Sequence, residues 1–246
     1  MALFQGTVRS LALGMDTKVN VVLPYDYYDA QGNPKSEVNK VLYLLHGLKQ
    51  NADAWLRYSS AERYANYGGY ALVVPEVQRS WYRDLPGEMN YLTYIAEELP
   101  RVMHTMFRLP QGREHTYIGG LSMGGYGALK CALAHPEQYA GAMCFSAAFY
   151  SLEPQARRVL LGFGEEPLPE EDDVDRLIAA FPQDAEKPRL YIAWGTEDGL
   201  FASNERCVAT LKDAGFDPAW ECWSGGHDWK FWDAALQKAT ALFAGK

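Results

Sequence analysis

The sequence predicts an α/β fold in which helices cover both faces of a mostly parallel central sheet. Short, nearly uninterrupted apolar runs recur along the 246 residues, as expected of parallel strands that are buried on both faces. Stretches of helical period separate these runs, which is the order that right-handed crossover connections require. Hydrophobic residues make up 48% of the chain, enough to build the core of one domain spanning residues 1–246.

Eight segments are predicted as strands. The first two alternate polar and apolar residues, so we expect them to pair antiparallel at an edge of the sheet. Most of the later segments are apolar throughout and are expected to be parallel. In chain order the segments are Leu3–Leu11, Thr17–Leu23, Val41–His46, Ala71–Pro75, Thr116–Leu121, Gly141–Ser146, Leu190–Trp194 and Pro218–Trp223.

Five segments have a helical pattern. Within the second, Pro100 lacks a backbone N–H and should bend or split the helix. Residues 149–181 depart from the alternation of strands and helices because they are acidic and rich in proline and glycine. We expect them to form a small insertion, a partial cap over the strand ends, and we expect their acidic run Glu165–Asp175 to be solvated. The helical segments are Ala52–Tyr67, Tyr91–Phe107, Met123–Ala134, Ser203–Ala214 and Trp229–Phe243.

The charge balance argues against a nucleic-acid partner. Lys and Arg number 23 against 31 Asp and Glu, and the net charge of −8 would repel a phosphate backbone. No apolar run approaches the roughly 18 residues of a membrane span, so no membrane partner is expected. The N-terminus lacks a secretory-signal pattern, and the four cysteines form no CxxC pair. These features predict a cytoplasmic protein and leave a homo-oligomer open.

The strongest chemical signal is the GxSxG motif of residues 120–124. The apolar strand Thr116–Leu121 leads into it and a helix leads out. This context predicts a nucleophile elbow, a sharp strand-to-helix turn that presents the hydroxyl of Ser122 above the sheet edge. Gly120 and Gly124 are required there because the turn brings backbone segments too close for a Cβ atom.

A serine hydroxyl needs a general base, and His227 is the best-placed histidine. It lies in a glycine-rich loop after the last predicted strand, at the carboxyl edge of the sheet where Ser122 is expected. A carboxylate must then fix the imidazole tautomer. Asp198 and Glu197 both follow the preceding strand and both fit the order serine, acid, histidine. Spacing alone does not separate them.

An acyl-transfer site also needs two backbone donors for the oxyanion. Met123 follows the nucleophile and supplies one N–H. The loop after Val41–His46 should supply the second from Leu48, and His46 is then expected to orient that loop.

Several spaced motifs together resemble the putative-esterase family of α/β-hydrolases. They are LYLLHGL, SWY, GLSMGGYGALK, WGTEDGL and GGHDWKFW, in that order along nearly the whole chain. Within the family the likeness is greatest to tributyrin esterases, which are related to S-formylglutathione hydrolases and feruloyl esterases. The resemblance implies an α/β-hydrolase fold with Ser122 as nucleophile, Asp198 as acid and His227 as base. It also matches Leu48 and Met123 to the oxyanion donors.

We therefore expect a serine carboxylesterase that hydrolyses a small-molecule ester through an acyl-enzyme and needs no metal or cofactor. Acetyl to butyryl esters, or small aromatic acyl esters, are the expected substrates, since residues 149–181 offer no broad apolar face for long lipid chains. Alternatives are an S-formylglutathione hydrolase, a feruloyl or acetyl-xylan esterase and, less favoured, an acyltransferase. The aromatic side chains predicted to wall the substrate pocket are Trp55, Trp81, Tyr82, Tyr126, Trp229 and Trp232.

Overall fold

The central sheet of the computed structural model has eight strands within the residues described, which are 1–24, 38–85, 87, 89–150 and 168–244. Their order across the sheet is β1-β2-β4-β3-β5-β6-β7-β8. Strand β2 is antiparallel to both β1 and β4, and all other neighbours are parallel. This confirms the predicted mostly parallel sheet with an antiparallel edge. The strands are β1 (Ala2–Ser10), β2 (Met15–Leu23), β3 (Lys40–Leu45), β4 (Tyr70–Pro75), β5 (Thr116–Leu121), β6 (Gly141–Phe145), β7 (Arg189–Gly195) and β8 (Ala219–Trp223).

The apolar strands are buried on both faces because successive side chains point to opposite sides of a sheet. In β3, Val41 and Tyr43 pack into one hydrophobic core, whereas Leu42 and Leu44 pack into the other. One core lies under α3 (Tyr91–Thr93), α4 (Leu99–Phe107), α5 (Met123–Ala134), α6 (Val174–Ala179) and α7 (Phe201–Asp213). The other lies under α1 (Ala54–Tyr58), α2 (Ala61–Gly68) and α8 (Trp229–Ala244).

The helix predicted over Ala52–Tyr67 is in fact two helices, α1 and α2, so that prediction was wrong. Ser59 interrupts it with an extended backbone, φ −136° and ψ 176°. Its hydroxyl donates to the carbonyl of Trp55 at 2.5 Å and accepts the N–H of Ala61 at 3.2 Å. The N–H of Ser60 donates to Asp233 in α8 at 2.6 Å. Serine side chains compete with the helical backbone in this way, and the partner on α8 is not visible in the local sequence.

The irregularity predicted at Pro100 takes the form of a π-helical turn. Residues Tyr94–Glu98 form this turn between α3 and α4. The N–H of Leu99 donates to the carbonyl of Tyr94, five residues back. The π-helical turn ends at Glu98, and Pro100, which has no N–H to donate, lies in the first turn of α4.

The predicted cap falls largely outside the described residues, which leave out 151–167. Its carboxyl end forms a 3₁₀ turn, Glu170–Asp172, followed by α6. The expectation that the acidic run is solvated is wrong for Asp172, which is only 3% exposed. Within the ranges that the structure describes, no helix has the length and apolar character needed to cross a bilayer.

Candidate active site

Ser122 occupies the sharp turn between β5 and α5. Its backbone has φ 54° and ψ −117°, a strained conformation for any residue with a side chain. Hydrogen bonds hold it in place: its N–H donates to Phe145 at 2.9 Å, and its carbonyl accepts the N–H of Ala148 at 3.0 Å. The turn therefore has the strand-to-helix geometry that the GxSxG motif predicts.

Gly120 and Gly124 allow this turn to pack against the end of β3. A Cβ atom on Gly120 would lie 2.6 Å from the carbonyl carbon of Gly124 and 2.7 Å from the oxygen of Leu45. A Cβ atom on Gly124 would lie 2.7 Å from the carbonyl carbon of Leu45 and 2.8 Å from the oxygen of His46. These contacts are with backbone, which cannot rotate away, so the two positions need glycine.

The structure brings the three predicted side chains together at the carboxyl edge of the sheet. His227 Nε2 lies 3.1 Å from Ser122 Oγ. On the other side of the ring, His227 Nδ1 lies 3.0 Å and 3.2 Å from the two carboxylate oxygens of Asp198. A hydroxyl, an imidazole and a buried carboxylate in this order can move a proton from oxygen to nitrogen and back.

The loop after β3 lies on the other side of Ser122. His46 is completely buried, and its Nε2 and Nδ1 atoms lie 3.2 Å from the N–H of Val77 and 2.9 Å from the carbonyl of Gly47. The N–H of Gly47 donates to the side chain of Gln50 at 2.9 Å. The His46 ring thus connects the loop after β3, through Gly47, to the segment after β4, through Val77.

Leu48 and Met123 keep their N–H groups free of hydrogen bonds within the part of the chain that the structure describes. Leu48 lines the same cavity as Ser122, and Met123 begins helix α5 directly after it. The helix N-terminus adds a partial positive charge at this point. An oxygen that becomes negative beside Ser122 would therefore lie near the positive end of this helix.

A cavity of about 540 Å³ opens over these groups. Its size suits a small organic molecule. The described residues that line it are Gly47, Leu48, Lys49, Gln50, Trp81, Leu121, Ser122, Ala148, Asp198, Gly199, Leu200, His227 and Trp232. Among the described residues, no three His, Cys, Asp or Glu side chains are grouped so that they could hold a metal ion.

Comparison with known proteins decides the family. Residues 10–243 match the family described as putative esterase. The chain belongs to this esterase family. A curated relative named acetyl esterase, from Caldicellulosiruptor saccharolyticus, is 31% identical over 260 residues that cover 97% of both chains.

Two solved structures from Staphylococcus aureus share the fold of this esterase. The fluorophosphonate-binding serine hydrolase F has a TM-score of 0.87 and 30% identity, covering 100% of this chain and 99% of that one. The S-formylglutathione hydrolase FrmB has a TM-score of 0.82 and 29% identity, covering 99% of both chains. The esterase therefore has the predicted α/β-hydrolase fold and is a serine hydrolase of carboxylic ester bonds.

The structure separates the two acids that the sequence left open. Asp198, with a fully buried side chain, faces the His227 ring, and its Oδ1 also accepts the N–H of Leu200 at 2.8 Å. The carboxylate of Glu197 instead accepts the N–H of Gly225 in the histidine loop. Asp198 is therefore the carboxylate that can fix the imidazole tautomer.

The hydrogen bonds around Asp198 also control its charge. Burial alone would raise the pKa of this carboxyl, but the hydrogen bonds from His227 and the Leu200 N–H outweigh burial and hold the pKa below the ordinary 3.8. Asp198 is consequently a carboxylate at neutral pH, and its negative charge can stabilise an imidazolium.

Four of the six predicted pocket aromatics do not line the cavity of the esterase, while Trp81 and Trp232 do. Trp55 is completely buried and donates its indole N–H to the carbonyl of Leu45 at 2.9 Å. Trp229 packs edge-on against Trp55 and Trp232, with ring centroids 5.2 Å and 5.4 Å away.

Tyr82 and Tyr126 are the other two corrections, because both are completely buried. The hydroxyl of Tyr82 donates to the carbonyl of His46 at 3.0 Å, and that of Tyr126 to the carbonyl of Asp172 at 2.8 Å. Their polar ends find partners inside the protein, so they support the site from behind.

Sequence reasoning missed several lining residues. Lys49 and Gln50 directly follow Leu48, and Gly199 and Leu200 directly follow Asp198. Each pair adjoins a residue that the motifs had identified, and this adjacency could have predicted that the pair lines the cavity.

Proposed function

We propose that Ser122, His227 and Asp198 form the catalytic triad of an esterase that hydrolyses short-chain acyl esters. The observation that carries this proposal is the continuous chain of contacts from Ser122 Oγ through both nitrogens of His227 to Asp198, at 3.1 Å and 3.0 Å. Ser122, His227 and Asp198 all line the cavity that Leu48 also lines.

In the first half of the reaction, Ser122 Oγ attacks the carbonyl carbon of the ester. The serine proton passes to His227 Nε2, and the carbonyl electrons move onto the oxygen. Asp198 stabilises the resulting imidazolium. The tetrahedral intermediate then expels the alcohol, which takes the proton from His227, and the acyl group stays on Ser122.

In the second half, water takes the place of the alcohol. It attacks the acyl carbon and gives its proton to His227, and the second tetrahedral intermediate releases the acid while Ser122 Oγ recovers that proton. The N–H groups of Leu48 and Met123 donate to the oxyanion in both intermediates. Loss of one such donor typically costs about 10²–10³ in kcat.

The walls of the cavity support a preference for short acyl chains. Trp81 and Trp232 are rigid rings, and Leu121, Ala148 and Leu200 add apolar surface in a cavity of about 540 Å³. Each methylene that fits gains up to ~0.8 kcal/mol of burial, whereas one that does not fit introduces strain. We propose that acyl chains of two to four carbons are preferred; the similarity to an acetyl esterase supports this range.

The test is a series of p-nitrophenyl esters from acetate to octanoate. We expect kcat/KM to be highest at acetate or butyrate and to fall steeply by octanoate. Ser122→Ala should fold normally and lose about 10⁴–10⁶ in kcat. A maximum at octanoate would contradict the acyl preference, and full activity of Ser122→Ala would contradict the triad.

A thioester of a glutathione-like thiol is a second candidate substrate. Lys49 is exposed on the cavity and forms no ion pair within the described part of the chain. Its ammonium would suit a leaving group that carries carboxylates, and the likeness to FrmB supports the same chemistry. The two candidate substrate classes are distinguished by comparing kcat/KM for S-formylglutathione with that for p-nitrophenyl acetate, in the wild type and in Lys49→Gln. If the thioester is the better substrate, we expect Lys49→Gln to reduce its kcat/KM several-fold and to leave that of the neutral ester unchanged.

A further inference from the structure

A buried group of three charges lies behind the wall of the cavity. Asp172 is 3% exposed, and each of its carboxylate oxygens forms an ion pair with one cationic side chain. Lys130 Nζ lies 2.5 Å from Oδ1, and Arg83 Nε lies 2.5 Å from Oδ2. Lys130 is 1% exposed, and the Arg83 side chain is 17% exposed. The proposed reaction uses none of these groups.

The three charges join three separate parts of the chain. Asp172 ends the 3₁₀ turn at the carboxyl end of the insertion, and Lys130 lies on α5, the helix that begins after Ser122. Arg83 directly follows Trp81 and Tyr82 in the sequence. The Arg83 ion pair therefore anchors the segment that carries one wall of the cavity.

That segment needs an anchor because its backbone is strained. Trp81 and Tyr82 have φ of 54° and 53°, in the left-handed region that large side chains avoid. Such a conformation persists only where the surroundings enforce it. The hydroxyl of Tyr82 is held by His46, and the Trp81 ring packs edge-on against Tyr126 at 5.8 Å. The next residue, Arg83, adds an ion pair between its guanidinium and Asp172.

We infer that Arg83 is a positioning residue that fixes the Trp81 wall and thereby sets the length of acyl chain that the cavity accepts. The inference rests on the proposed function and names a specificity determinant within it. Arg83 lies behind the wall and acts through Trp81, which lines the cavity. Without the ion pair, the strained backbone of Trp81 and Tyr82 relaxes, the Trp81 ring moves, and the cavity accepts longer acyl chains.

The chain offers a matched control in Lys130. Replacing either cation with methionine leaves Asp172 with the other one, so each variant keeps one buried ion pair and no uncompensated charge. Only Arg83 belongs to the Trp81 segment, because Lys130 lies on α5. A purely structural role would make the two variants equivalent.

The experiment measures kcat/KM for p-nitrophenyl hexanoate divided by that for p-nitrophenyl acetate. This ratio does not depend on the fraction of enzyme that is folded, and fluorophosphonate titration of active sites checks that fraction separately. We expect the ratio to rise about fivefold or more in Arg83→Met and to stay within about twofold of the wild type in Lys130→Met. In Arg83→Lys, which keeps the positive charge, we expect the ratio to lie close to the wild-type value. If Arg83→Met does not fold, Arg83→Gln takes its place.

Two results would overturn the inference. One is a ratio in the Arg83 variant within twofold of the wild type; the other is an equal rise in Lys130→Met. Failure of the proposed function would look different. It would show in the wild type itself, as a chain-length maximum at octanoate or as activity that survives Ser122→Ala.

Discussion

Replacing Asp198 with asparagine is a sharp test of the site because the local hydrogen bonds dictate what the amide can do. Asp198 has two acceptor oxygens for two donors: Oδ1 takes the N–H of Leu200 at 2.8 Å, and Oδ2 faces Nδ1 of His227 at 3.0 Å. Asparagine offers one oxygen and one NH₂ group. Because the NH₂ group must replace one of the two oxygens, only one of the two donors keeps its shorter contact with an oxygen.

Each orientation of the amide has a calculable penalty. If the oxygen stays with Leu200, the NH₂ group faces His227, so Nδ1 must accept and Nε2 carries the proton. A protonated Nε2 cannot take the proton of Ser122. If the amide flips, a buried N–H loses its acceptor at a cost of about 1–3 kcal/mol. The correct tautomer would then have a population of roughly one part in 5 to one part in 150.

The loss of negative charge adds to this penalty, because the imidazolium formed in the reaction is no longer compensated. The equivalent change in a serine protease costs about 10⁴ in kcat. We therefore expect Asp198→Asn to lower kcat by about 10²–10⁴. Glu197→Gln is the control. Its side-chain oxygen can still accept the Gly225 N–H, so kcat should stay within about threefold of the wild type. The assay is p-nitrophenyl acetate hydrolysis normalised to titrated active sites. The reverse ranking of the two variants would refute the assignment of the acid.

Further expectations concern the nucleophile, the acid stability and the elbow. A fluorophosphonate should label Ser122 alone, as read by peptide mass analysis, and a second labelled serine would contradict its unique activation. The pKa of Asp198 is lowered below 3.8, so protonation of this group destabilises the fold only below about that pH. The urea concentration at the midpoint of unfolding should therefore be lower at pH 3 than at pH 4, and this difference should be smaller in Asp198→Asn. Gly124→Ala should lose at least about 1–3 kcal/mol of stability through overlap with the β3 backbone, whereas Gly6→Ala, with open space around it, should change the unfolding midpoint little.

The positions of the reacting groups could be predicted from sequence because their signals are local and the sheet is parallel. Each motif follows an apolar strand, and the carboxyl ends of parallel strands meet at one edge. Ser122, Asp198 and His227 come after β5, β7 and β8, so the topology alone brings them near one another. The choice between Asp198 and Glu197 depended on the resemblance, since adjacent residues in a loop differ only in side-chain direction.

The roles of the aromatic side chains could not be predicted in the same way. Tyr82 and Trp81 are neighbours in sequence, yet one ring is core and the other lines the cavity. What separates them is a tertiary contact, the bond from the Tyr82 hydroxyl to His46. Asp172 is a similar case. Its acidic neighbours predict a solvated face, and only the distant cations Arg83 and Lys130 make its burial favourable.

The site can be understood as two packed halves, which lie on either side of β6 in the sheet. In the first half, β3 and β5 are paired, and Gly120 and Gly124 bring the Ser122 turn against the backbone of the oxyanion loop. A shift of Ser122 must therefore move the proposed oxyanion donors, Leu48 and Met123, with it.

In the second half, β7 and β8 are paired, and the acid and histidine loops share backbone bonds: Thr196 donates to Trp223 at 3.0 Å, and Glu197 donates to Gly225 at 3.1 Å. Asp198 and His227 therefore keep their alignment as a unit. The two halves are joined at the reacting atoms by the 3.1 Å contact between Ser122 Oγ and His227 Nε2. In the proposed reaction, the proton of Ser122 crosses between the halves at this contact.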